Sequence, residues 1–323
     1  MHYALPRKSS NPTRFAPRST FTLKRRRQLK TLALIVLAGV ALFLLVTRLL
    51  APSSSSGNGT ISTFGSSAVA PVVLVTVLDS ERWSQSYIEK IKRNREDYAK
   101  RHGYATFFAN ASDYAYTLLG QPRSWTIVPA VRHAMTENPH STYFFHLTAN
   151  ALIMEPNLSL TSHVLEPSRL DSLMIRDMPV VPPDSIIKTF SYLKPNNVQF
   201  IVTQDAEDLV SDSFIIKQGD WGRFFLDVWY DPLYRSYDFL KAEKHALDHI
   251  VQWHATILAK LALVPQRVIN AYSKDSPGAA VDGTYQNGDF VIHFHGCEDS
   301  KGRDCEAEML PYYNRWLKSV SSE

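Results

Sequence analysis

His293 and His295 lie two residues apart in the stretch VIHFHG. In an extended chain alternate side chains share a face, so both imidazoles would point the same way, and neutral imidazole nitrogens suit a divalent cation. A hydrogen-bonded or solvated pair satisfies the same spacing. Glu243, His245 and His249 fall together in EKHALDH, with the histidines four residues apart and so on one helical face. The glutamate of a zinc-protease motif does not follow them, which makes an ordinary polar face the simpler reading. Asp205 and Asp208 sit in QDAED, an acidic loop. Cys297 and Cys305 are the only two cysteines. They are close enough to close a short loop in an oxidising compartment; two buried thiols are the alternative, and a zinc site would need further ligands. Neither G-x-S-x-G, a Walker element nor G-x-G-x-x-G occurs, so hydrolase, P-loop and Rossmann dehydrogenase readings lack their marks.

The elements that must position these groups follow from hydrophobic patterning. Residues 72–78 (VVLVTVL) form a continuous β-branched run, as in the middle of a parallel sheet. Ser80 can cap a helix that carries Trp83, Tyr87, Ile91 and Tyr98 and stops at Gly103. A strand over 104–109, a helix over 125–136 and a strand over 142–147 complete a β-α-β-α-β order, which predicts a doubly wound sheet. Ligands of such sheets lie at the carboxyl ends of the strands, which directs attention to Thr148-Ala149-Asn150. Downstream the pattern predicts a strand over 214–217, a helix over 221–230, a long helix over 243–263 and strands over 264–270 and 290–294. Trp83, Trp221 and Trp229 read as core.

Charge and hydropathy divide the chain. Residues 1–30 carry nine bases and no acid. Beyond Arg48, 25 Lys and Arg face 31 Asp and Glu, so residues 49–323 are net acidic and a poor match for nucleic acid. Residues 31–47 hold no charge; seventeen residues span about 25 Å as a helix, short for a typical bilayer and suited to the thinner early secretory membranes. The expected organisation is a basic cytosolic tail (1–30), a transmembrane signal anchor (31–48), a Ser/Gly-rich stem (49–70) and a luminal domain (71–318). Asn58, Asn110 and Asn157 head glycosylation sequons on the luminal side.

Several segments, in this order, resemble the fungal galactosyl/mannosyltransferase family (glycosyltransferase family 34), which also includes plant xyloglucan xylosyltransferases. They are Asn94-Arg95 through Tyr98, His102-Gly103-Tyr104, residues 125–135, YFFHLTANALIMEP, residues 213–229, residues 243–247, and His293-Phe294-His295-Gly296-Cys297 followed by Cys305. VVPPDSIIKTF and the stretch from DPLYRSYDFL to AYSKDSPGA are most similar to the second α-1,6-mannosyltransferase subunit type of the yeast mannan polymerase II complex. The resemblance implies a GT-A-like, doubly wound mixed sheet with flanking helices, a retaining reaction and GDP-mannose as donor. It further implies an N-glycan mannan acceptor, other Golgi mannosyltransferase subunits as partners, and a single-pass type II place in the Golgi membrane.

It also assigns site residues. Asn94, Arg95 and Tyr104 match positions near the nucleotide, and Thr76, near the end of the first strand, is placed to read the base. Asp205 and Glu243 match catalytic segments. The metal-binding D-x-D of the family falls on Thr148-Ala149-Asn150, which has no carboxylate, while the histidine of H-F-x-G-C is kept as His293. Thr148 and Asn150 offer neutral oxygens only, so Mn²⁺-assisted transfer at the triplet is expected to be weak. Two rivals follow: a non-catalytic scaffold subunit, or an α-galactosyltransferase using UDP-galactose.

Overall fold

The computed structural model describes residues 69–118, 120–298 and 302–321, all within one compact unit. The expected cytosolic tail, membrane anchor and most of the stem, with Asn58, lie outside the described residues. Among the described residues no helix is long and apolar enough to cross a membrane.

The first half of the unit follows its hydrophobic pattern. Strand β1 (Val72–Leu78) is almost wholly buried, as a β-branched run in mid-sheet must be. Helix α1 (Gln85–His102) ends where Gly103 takes the left-handed conformation (φ 67°) that a side chain would resist. Its cap is Ser84, whose side chain accepts from the Tyr87 amide, and Ser80 is passed over. The reason is a turn in which the Arg82 and Trp83 amides donate to the Asp79 carbonyl, so the helix starts late. Strand β2 (Ala105–Asn110) follows, and then α2 (Ile127–Glu137), entered through a 3₁₀ turn at Arg123–Thr126. Pro129 sits in the first turn of α2, where no amide hydrogen is missed.

The remaining strands build two sheets. They are β3 (Tyr143–Leu147), β4 (Ala151–Ile153), β5 (Phe200–Gln204), β6 (Leu209–Lys217), β7 (Leu261–Leu263), β8 (Ala271–Tyr272) and β9 (Val291–His293). The larger sheet runs β2-β1-β3-β6-β5-β7 and the smaller one β4-β9-β8. β1 pairs in parallel with β2 and β3, whereas β6 enters antiparallel to β3 and to β5. The larger sheet is therefore mixed. From β1 the chain adds β2 on one side and then β3 on the other, so the strand order reverses between β1 and β3, and this is the switch point at which a doubly wound sheet opens a crevice.

Helices α3 (Asp220–Trp229) and α4 (Ala242–Trp253) join α2 over one face of the large sheet, where Phe200, Phe214 and Trp229 are fully buried. Helix α1 and the small sheet cover the other face, and α5 (Cys305–Ser321) closes a third cluster through Met309 and Trp316. Two expectations change. The predicted helix over 243–263 breaks at His254, whose backbone is non-helical, because residues 261–263 are drawn into the sheet as β7 beside β5. The predicted strand over 264–270 is a 3₁₀ turn after Pro265, and pairing resumes only at β8.

Phe214 stacks obliquely on Phe200 and Trp229, with ring centroids 5.3 and 5.6 Å away. Phe214→Ala should lower unfolding free energy by about 3–5 kcal/mol, read as a shifted urea midpoint at unchanged slope.

Candidate active site

At the carboxyl ends of β1 and β3 the surface opens into a cavity of about 570 Å³, within the range of small-molecule sites. Val77 and Asp79 come from the end of β1, His146 and the triplet Thr148-Ala149-Asn150 from the end of β3, and Asp212 from β6. Lys241, Glu243 and Lys244 enter from the start of α4, and His293 and His295 from the end of β9.

The triplet is where the chain leaves the large sheet for the small one. The Thr148 amide donates to the Asp212 carbonyl, extending the β3/β6 ladder by one rung. Ala151 then pairs with His293, and the Phe294 amide donates to the Asn150 carbonyl. Thr148 Oγ1 donates to Asn150 Oδ1 at 2.6 Å, so the two side chains at the D-x-D position are bonded to each other. His293, paired with Ala151, follows directly beside them.

Beneath the crossing lies Arg95, fully buried on α1. Its guanidinium donates to the carbonyls of Thr148 (3.1 Å) and Ala151 (2.8 Å) and to Asn94 Oδ1. Asn94 in turn donates to the Ile153 carbonyl at 2.9 Å and accepts from its amide at 3.0 Å. Asn94 and Arg95 thus hold the loop from behind and do not line the cavity. Thr76 is also buried, its hydroxyl spent on the Leu147 carbonyl. Tyr104 precedes β2, at the amino ends of the strands and away from the cavity, where it meets Thr161 and Tyr98. None of the four residues expected to hold the donor faces this cavity; in each, the polar atom serves the fold.

Asp205 and Glu243 do line it. Asp205 is locked: Oδ1 accepts from the Glu207 and Asp208 amides, and Oδ2 accepts from the Tyr272 hydroxyl at 2.8 Å. Glu243 is buried, with Oε1 accepting from Ser211 at 3.3 Å and Oε2 without a partner. Burial raises its carboxyl from the ordinary 4.5 to about 7, so near neutrality it still carries a proton much of the time.

Asp212 has the opposite character. Burial opposes its charge, yet Lys244, with Nζ 3.7 Å away, and the surrounding imidazoles hold it down to about 2. Lys244 also faces Asp205 at 3.9 Å. Burial alone would release its proton, but Asp212, Asp205 and Glu243 raise its pKa and keep it an ammonium. His293 Nδ1 meets Asn270 Oδ1 at 3.0 Å. A carbonyl oxygen only accepts, so Nδ1 carries the hydrogen and Nε2, fully buried and unpartnered, presents a lone pair. Asp212, His293 and His295 offer ligand atoms within 4.8 Å of one another.

A second cluster of that kind, Asp208, His245 and Asp248, is capped by Lys241, which bonds Asp208 and Glu207. Of the expected helical pair, His245 belongs to this cluster, while His249 lies among Tyr234, Tyr237, Phe239 and Trp253. Asp212, Lys244 and His146 were not singled out from sequence. For Asp212 and His146 the signal was a charge or an imidazole inside otherwise apolar strands, SDSFII and YFFHL. Cys297 and Cys305 are joined in a disulfide that packs with α5. Asn110 caps a turn by accepting from the Ser112 amide, and Asn157 is exposed.

Two outcomes follow from these environments. Arg95→Leu abandons two backbone acceptors and should cost about 1–3 kcal/mol for each, measured by chemical denaturation. A carboxyl held protonated by the fold supports the folded state fully below 4.5, and that support is lost as pH rises through about 7. Glu243→Gln should therefore flatten the fall in stability between pH 5 and 7.5 relative to the parent chain, which paired urea titrations at the two pH values would show.

Comparison with known proteins accords with this arrangement. The model of the galactosyl transferase GMA12/MNN10 family matches residues 68–305. An uncharacterized alpha-1,2-galactosyltransferase C8D2.17 of Schizosaccharomyces pombe is 34% identical over 241 residues, covering 73% of this chain and 71% of that relative. An alpha-1,2-galactosyltransferase of the same yeast is 32% identical, covering 70% of this chain and 60% of its own length. The probable alpha-1,6-mannosyltransferase MNN11 of Saccharomyces cerevisiae is 31% identical, covering 77% and 62%. The chain thus spans about three fifths of the length of the latter two. Among solved structures, a glycosyltransferase involved in the glycosylation of the major capsid of PBCV-1 aligns with a TM-score of 0.47 at 9% identity, over 76% of this chain and 98% of that one. A match across the whole unit from β1 to the disulfide, together with relatives above 30% identity, makes this chain a member of the galactosyl transferase GMA12/MNN10 family, a family of hexosyltransferases.

Proposed function

We propose that the chain is a retaining hexosyltransferase of GT-A type that moves a hexose from a nucleoside diphosphate sugar onto a glycan, with the cavity at the β1/β3 switch point as its donor site. The observation that carries this is the open cavity itself. A chain kept only as a scaffold has no need for space of about 570 Å³ bounded by a buried ammonium, a protonated carboxyl and three imidazoles. GDP-mannose is the proposed donor and an α-1,6-linked N-glycan mannan chain the acceptor. The likeness of the segments around residues 180–190 and 231–279 to a mannan polymerase subunit supports this choice. The same reading places the chain in the Golgi membrane with its domain in the lumen, beside other mannosyltransferase subunits. UDP-galactose is a second reading, favoured by galactosyltransferases at 34% and 32% identity.

The chemistry asks for neutralisation of a leaving diphosphate. A divalent ion such as Mn²⁺ supplies that charge when bound; His293 would hold it, and Thr148 and Asn150 would add neutral oxygens. The lone pair on buried His293 Nε2 fits such an ion. Lys244 contributes a fixed positive charge of its own, kept ionised by Asp212 and Asp205 in a water-poor setting where it is worth more than at the surface. Glu243, protonated near neutrality, can donate a hydrogen bond to a sugar hydroxyl. Asp205, with three donors on its carboxyl oxygens, is held in a fixed orientation on the cavity wall.

The test is to incubate the full chain with an α-mannoside acceptor and either GDP-mannose or UDP-galactose, analysing products by mass spectrometry and anomeric NMR. An α-linked mannose extension is expected. Transfer from UDP-galactose alone would establish the second reading, and transfer from neither would overturn both. Lys244→Met should lower kcat/KM by on the order of 100-fold, as losing one preorganised charge donor does elsewhere.

A further inference from the structure

We infer that this chain binds a first-row divalent cation at Asp212, His293 and His295, so that the anionic ligand missing from the β3–β4 crossing is supplied by the neighbouring strand β6. The role of the ion at a diphosphate rests on the transferase reading above; its binding does not.

Topology brings the three together. Asp212 is the residue of β6 whose carbonyl accepts from the Thr148 amide, so its backbone touches the triplet directly. His293 closes β9 in register with Ala151, the residue just after the triplet. His295 follows two residues on, its ring stacked on Tyr272 (centroids 4.6 Å apart, planes within 8°), and the Arg303 guanidinium donates to its carbonyl at 2.7 Å. Its Nδ1 lies 3.9 Å from Asp212 Oδ2.

Two observations point to a ligand and not to a chance cluster. The donor atoms already lie within 4.8 Å of one another, close to the spacing of ligands around a common ion. In addition, His293 is fully buried and its Nε2 has no partner, while Nδ1 is fixed by Asn270 in the manner of a second ligand shell. A buried lone pair without a donor is costly unless something fills it. One carboxylate and two imidazoles suit Mn²⁺ or Zn²⁺ better than Mg²⁺ or Ca²⁺, which prefer all-oxygen shells. Lys244 Nζ, 3.7 Å from the same carboxylate, competes with the ion for Asp212.

The probe is MnCl₂ alone, titrated into the purified full chain and followed by loss of the free-ion EPR signal, without nucleotide. One bound ion with imidazole nitrogen couplings in the pulsed spectrum is expected. Asp212→Asn should weaken binding by at least about 10-fold, the smaller end of losses for groups that only support ligands. Asp212→Glu, which keeps the charge, should recover part of it, and that recovery separates ligation from misfolding. His295→Gln should remove one nitrogen coupling, and Lys244→Met should tighten binding by freeing the carboxylate. Failure of the parent chain to bind Mn²⁺ at millimolar concentration, or unchanged affinity in Asp212→Asn, would overturn the site. Transfer that persists in EDTA with no ion bound would sink the metal site and leave the transferase reading standing. Binding at Asp212 without transfer from either donor would do the reverse.

Discussion

The site depends on one buried guanidinium. Between β3 and β4 the chain must cross from one sheet to another within three residues, and a crossing inside the protein leaves backbone carbonyls that neither ladder can satisfy. Arg95 reaches them from α1, and Asn94 continues the same service to both polar groups of Ile153. The path of the triplet is therefore set from behind by a helix and owes little to the side chains at its tip. This explains how the D-x-D position can read Thr148-Ala149-Asn150 while the cavity in front of it stays open.

The charge is redistributed over the neighbouring elements. Half-buried Asp212 on β6 and buried Lys244 on α4 form a pair facing the triplet, and the imidazoles of His146 and His293 are held neutral by burial, near 4 and 3. Neutral imidazoles are lone-pair donors, and an ionised aspartate among them makes the region attractive to cations despite the missing triplet acids. Glu243, next to Lys244 on α4, still carries a proton much of the time near neutrality because its burial outweighs the pull of the neighbouring ammonium. Two carboxyls in one cavity thus have opposite states, each set by its surroundings.

How far this was legible in the sequence differs by feature. The β-branched run of β1, the stop at Gly103 and the position of the triplet at a strand end came from local pattern, and all three are local properties. Of the small sheet only β9 was expected, within 290–294; β4, β7 and β8 were not, since such short strands carry little period and are defined by distant partners. Asn94 and Arg95 were expected at the nucleotide because they match such positions in the family the chain resembles; their partners here include backbone groups more than fifty residues away, which no spacing rule reveals. Asp212 escaped notice for a similar reason: only the antiparallel entry of β6 beside β3 brings it to the triplet.

The central claim is that a sugar nucleotide occupies the crevice at the carboxyl ends of β1 and β3. Hydrogen exchange of the full chain, with and without saturating donor, measures this directly. Protection should concentrate at residues 146–150, 241–244 and 293–296, which share the cavity wall. Saturating donor that leaves all three segments unchanged, or protects only the amino ends of the strands near Tyr104, would contradict the account.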